Sequence, residues 1–144
     1  MRTLFSGLSA VFALLIMLSI TAPTTLAQEM AEAAPTVAET TSLGTGTFTG
    51  KSGHEARGHA TIQQTDEGYV LVLGDDFVFD GAPDPKLALG NDGYDSSTLF
   101  TPLASNTGQQ TYLLPDSIDV RAYNEVWIWC EQYNVPLGVA PLRL

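Results

Sequence analysis

The stretch RGHATIQQTDEGYVLVL, from Arg57 to Leu73, decides how this chain is read. Between Arg57 and Gln64 the residues alternate: Ala60 and Ile62 fall on one face, and His59, Thr61 and Gln63 on the other. Asp66-Glu67-Gly68 is a turn with glycine at its end, and Tyr69 to Leu73 is an apolar run of strand formers. Two such runs across a short turn predict a β-hairpin. The same pattern extends in both directions. Upstream, Gly44 to Gly50 (GTGTFTG) sets strand formers between glycines. Downstream, Asp76 to Asp80 (DFVFD) predicts a short strand. Pro83-Asp84-Pro85 then breaks the chain before Lys86–Gly90, and Asn91-Asp92-Gly93 is a turn. Further strands are predicted at Gln109–Leu114, Glu125–Cys130 and Val139–Leu142. No helical period competes with them and no internal repeat is visible. Short strands about eight to twelve residues apart predict an all-β domain over residues 43–144. Its expected form is an antiparallel β-sandwich or small barrel of about eight short strands.

Two other segments precede that domain. Arg2 is followed by an apolar run from Leu4 to Ile20, and Thr25-Leu26-Ala27 places small residues where a signal peptidase cuts. This is the pattern of a secretory signal peptide over residues 1–27. The strongest apolar run is shorter than the roughly 20 residues a membrane-spanning helix needs, so no membrane attachment is expected after cleavage. No cysteine follows the cleavage site, which excludes a lipoprotein anchor. The expected location is periplasmic or extracellular. Residues 28–42 (QEMAEAAPTVAETTS) contain no aromatic side chain and three Glu. Such a stretch buries too little surface to offset its ordering entropy and is expected to be a disordered acidic linker.

Composition narrows the chemistry. The chain has 144 residues, with 16 acidic against 6 basic side chains and a formal net charge of −10. Nothing here could neutralise a row of phosphates, so a nucleic-acid partner is excluded. One cysteine rules out a disulfide framework and a multi-cysteine metal site. There is no G-x-S-x-G, no phosphate loop and no zinc-binding His pair. A stand-alone enzyme is not the expected reading.

Cys130 is the first candidate. It ends Val126-Trp127-Ile128-Trp129-Cys130, where extended geometry sets Val126, Ile128 and Cys130 on one face and both tryptophans on the other. One reading is a buried, inert thiol. The others are a redox thiol, a cofactor or metal ligand, or an intermolecular disulfide that joins two copies. The tryptophans and nearby tyrosines form either a slot for a flat cofactor or part of the core. His54 and His59 could complete a copper set with Cys130 only if a turn brought them together, and after signal cleavage Met30 in the linker would be the one Met left to support it. Asn91, Asp92 and Asp95 surround a glycine, but the full calcium-loop spacing is absent and turn formation accounts for them.

Taken in order, the motifs carry a resemblance. Gly46-x-Phe48 opens it, then His54-x-x-x-Gly58, Leu71-x-Leu73-x-x-x-Phe77, Gly81-x-Pro83-Asp84 and Gly108-x-Gln110-x-Tyr112-x-Leu114-Pro115. The ending holds Val126, Ile128, Trp129, Cys130, Tyr133, Val135, Gly138, Ala140 and Leu142. From Gly46 to Leu142 the chain resembles the electron-transfer DM-thirteen domain family, known from Skeletor-type animal proteins and exported bacterial proteins. Leu137 departs from it, standing where an aromatic is usual. The resemblance implies an all-β fold, association with DOMON domains and membrane cytochromes, and thus a redox partner protein. It also implies a redox role for Cys130, as a bare thiol or as a ligand to haem or another metal group. His54 then becomes a second candidate ligand, with Trp129, Tyr133 and Asp84 as further candidates on the shared motifs. Charge bears on this choice. A thiol must ionise to react or ligate. Only Lys51, Arg57, Lys86, Arg121 and Arg143 could favour that in an acidic domain, whereas a bound cation would deprotonate the thiol outright. The rival expectation is a non-enzymatic binding or adhesion domain with Cys130 in its core.

Overall fold

The structure, a computed structural model, describes residues 40–143. The expected signal peptide and residues 28–39 of the expected linker lie outside the described residues. Thr41 and Ser42, expected to close that linker, instead open the first strand, where they pair with Gln64 and Gln63.

The strands are β1 (Thr41–Thr47), β2 (Thr49–Gly50), β3 (Ala56–Arg57), β4 (His59–Thr65), β5 (Gly68–Leu73), β6 (Val78–Phe79), β7 (Pro85–Gly90), β8 (Thr101–Pro102), β9 (Gln110–Leu113), β10 (Glu125–Cys130) and β11 (Val135–Arg143). The only helical turns among the described residues are two short 3-10 turns at Ser96–Thr98 and Val120–Ala122. The predicted hairpin is present: β4 and β5 pair from Ala60↔Leu73 to Thr65↔Gly68, around a two-residue turn at Asp66-Glu67. The strand expected at Asp76–Asp80 shrinks to Val78–Phe79, which pairs with β3 in a separate ribbon. The last strand begins at Val135, four residues before its expected start at Val139.

Eight strands run in the order β8-β7-β10-β11-β1-β4-β5-β9, with β2 alongside β11. Every pairing is antiparallel, and the sheet curls into a half-barrel. The expected fold class is therefore observed. Alternation explains the concave side. Ala60 and Ile62 of β4, Leu71 and Leu73 of β5, Leu87 and Leu89 of β7, and Val126, Ile128 and Cys130 of β10 all enter one core with Phe48, Phe77 and Phe79. Two bulges bend the sheet. In β1 the register slips between Ser42 and Gly44, leaving Leu43 as the extra residue. In β11 it slips opposite Ile128 and Trp129, leaving Leu137 as the extra residue. Bulges of this kind re-aim side chains and increase local twist. Here Leu137 turns into the core and is 1% exposed.

Candidate functional site

Strand β10 lies in the middle of the β7–β10–β11 sheet, and its two faces differ sharply. Its inner face is closed. Cys130 is a free thiol, 1% exposed, inside the apolar core cluster. Its backbone sits between Pro85 of β7 and Val135 of β11. Beyond it, the Glu131 N–H donates to the Asp84 carbonyl at 3.3 Å.

The outer face carries the aromatic residues. Trp127 stands directly between Ala88 and Val139, and Trp129 between Lys86 and Pro136. Ala88 and Val139 are buried, yet they stand apart from the core cluster. A second, smaller apolar layer therefore covers the outside of the sheet. Tyr94, from the loop after β7, stacks flat on Trp129 with ring centroids 3.8 Å apart and planes 8° apart. Trp127 meets Trp129 edge-on at 6.3 Å. Offset stacking and edge contacts are the favoured aromatic arrangements. Polar groups hold the rings in place. Trp127 Nε1 donates to Glu125 Oε2 at 3.0 Å, the Gly93 N–H donates to the same oxygen at 2.8 Å, and Trp129 Nε1 donates to Asn134 Oδ1 at 3.3 Å. Gly90 makes the room: a Cβ there would lie 2.5 Å from Trp127 Nε1 and 2.1 Å from the Gly93 carbonyl oxygen. Burial first, and the Asp95 charge second, push the Tyr94 phenol above its ordinary value.

The other candidates divide. His54 Nδ1 lies 3.0 Å from Asp80 Oδ1, and its ring packs 5.9 Å from Phe79. His59 Nδ1 lies 2.5 Å from Asp76 Oδ2. The two histidines thus take separate carboxylate partners. Asp84 lies 3.8 Å from Lys86, which also pairs with Glu131. The cation nearest Cys130 along the register is therefore already occupied by carboxylates. Tyr133 projects from the β10–β11 turn and is 61% exposed. Asp95 is spent on structure: it accepts the Ser97 N–H at 2.9 Å and the Tyr123 hydroxyl at 3.1 Å.

Among the described residues no three His, Cys, Asp or Glu side chains converge into a ligand set. Neither the two-His, one-Cys copper arrangement nor a calcium loop is formed. Haem also does not fit at Cys130. The thiol is sealed in the core, His54 is paired elsewhere, and the described surface cavities are lined by other residues. A direct disulfide to a second copy would require this end of β10 to open first. Sequence reasoning missed Tyr94 and Gly90. A glycine ending a strand, just before a turn, was the available signal for a close approach.

This is an all-β module with its thiol enclosed and an aromatic layer on the outside of the thiol-bearing strand. Residues 47–142 match the electron-transfer DM13 family, and the chain belongs to it. No curated protein and no solved structure matches the chain.

Proposed function

We propose that this chain is an exported electron-transfer module that meets its redox partner on the outer face of β7, β10 and β11, with Cys130 as the redox-responsive residue behind that face. The observation that carries this reading is the Tyr94–Trp129 stack at 3.8 Å, one residue from Cys130 on the same strand. An oxidised partner docked on the rings can then draw an electron from Cys130 through them, the thiol losing its proton as it becomes a thiyl radical, while the sulfur stays shielded from direct contact. Glu125 accepts from Trp127 and the Asp95 charge acts on Tyr94, so a partner with a basic docking face is the complementary one. Export is supported by the apolar run Leu4–Ile20 and the small residues at Thr25 and Ala27.

Voltammetry of the protein beside its C130S and W129F variants tests this. A redox wave that vanishes in C130S and slows in W129F is the expected result. A wave unchanged in C130S removes the cysteine from the chemistry. A second reading is favoured by the 1% exposure of Cys130. The domain then binds a partner on its aromatic face, and the thiol is only core. Under that reading C130S changes stability and leaves partner binding intact.

A further inference from the structure

At another place in the half-barrel, the bulge at Leu43 opens a cavity of about 230 Å3. Its lining is Leu43, Gly44, Ile62, Val120, Tyr123 and Leu142, with Arg121 among them. Ile62 and Leu142 belong to the core and form an apolar base, and Val120 comes from the second 3-10 turn. The Tyr123 hydroxyl is turned away to Asp95 at 3.1 Å, so its ring is the part offered to the cavity.

Arg121 is the exception in this apolar wall. Its Nε donates to the Tyr69 hydroxyl at 3.2 Å and its Nη2 to Gln64 Oε1 at 3.4 Å. Both partners are neutral. Among the described residues it has no carboxylate within ion-pair distance, although the Asp119 charge two residues back acts on it, in a chain whose net charge is −10. A guanidinium has five N–H donors in a fixed fork, so two of Arg121's are taken by neutral partners that orient it. The others remain available to a planar anion.

We propose that this cavity binds a small amphipathic carboxylate. Its apolar body would lie between Leu43, Ile62, Val120 and Leu142, and its carboxylate would sit on the unused N–H groups of Arg121. Size supports this class. An apolar cavity of about 150 Å3 holds benzene, so this one suits a short acyl chain or a single-ring aromatic acid. The charge at its mouth selects the acid over the neutral analogue. No electron or bond changes hands.

Calorimetric titration of the full chain with octanoate and with 1-octanol tests it, using wild type and R121Q. Arg121 is exposed, so R121Q leaves the core untouched. Octanoate is expected to bind wild type and to weaken about tenfold or more in R121Q, while octanol binding stays the same. NMR shifts at Ile62 and Leu142 should report the bound chain. Three results each overturn the proposal: no octanoate binding, equal octanoate affinity in both proteins, or shifts confined to other residues. Absence of binding because another part of the chain fills the cavity is the first of these.

Discussion

Asp76 shows how a single side chain ties two segments together. Its carboxylate accepts the His59 backbone N–H at 3.0 Å and lies 2.5 Å from the His59 ring nitrogen. The backbone bond first, and the ring second, hold its carboxyl below the ordinary value. A lowered folded-state pKa contributes stability that is present above the unfolded value and lost as pH falls through the folded one. Wild type should therefore lose stability as pH drops below about 4. D76N should show a flatter profile in that window, measured by urea midpoints at successive pH values. Equal slopes would show that this carboxylate does not contribute. Cys130 makes a separate prediction. At 1% exposure its thiol should ignore a chromogenic disulfide reagent in the folded protein and react once the chain is unfolded. Fast reaction of the folded protein would contradict the enclosed thiol. Serine at this position would bury a hydroxyl and should cost about 1–3 kcal/mol.

At the scale of elements, the seam between β1 and β11 pairs the first described strand in the chain with the last, in the middle of the sheet. It has only two paired positions, Thr45↔Arg143 and Gly46↔Leu142. The strands approach closely there, because a Cβ on Gly46 would stand 2.4 Å from the Pro141 carbonyl oxygen. Backbone cannot yield as a flexible side chain can. Gly46→Ala should therefore destabilise the fold by about 1–3 kcal/mol, the usual cost of overpacking. An unchanged urea midpoint would mean that the seam is looser than it stands here. The loop after β7 is held in a different way. Thr98 is 1% exposed, and its hydroxyl accepts the Leu89 N–H at 2.8 Å. That bond and the Tyr94 stack both fasten the loop, one beneath it and one on the outer face. The expected reading of Asn91-Asp92-Gly93 as a turn holds, but neither anchor is visible locally. Their partners lie 9 and 35 residues away.

For the whole molecule, the −10 charge governs encounters. Association with a basic one-electron carrier should be fast at low salt. It should slow steeply as ionic strength rises and the Debye length contracts toward about 8 Å. Stopped-flow mixing over a salt series measures this, and a salt-independent rate would rule out the acidic docking face. Much of the molecule was legible in the chain. The hairpin Arg57–Leu73, the strand Glu125–Cys130, the turns and the family resemblance all follow from alternation, turn residues and motif order, which neighbours along the chain encode. The orientation of β10 was not legible. Val126, Ile128 and Cys130 are apolar, but so are Trp127 and Trp129, and a two-residue period separates the faces without saying which one points inward. Packing against β7 and β11 decides it, and with it the enclosure of the thiol. The separate His54–Asp80 and His59–Asp76 pairs, the Tyr94–Trp129 stack and the cavity under Arg121 were settled in the same way. Each joins residues far apart in sequence, and only the pairing and curling of the sheet brings their side chains within reach. The sequence by itself determined the central strands, the turns between them and the family, but not the short strand β8 or the start of β11. The tertiary structure alone decided which faces meet, because those contacts depend on strand order and register rather than on any local pattern.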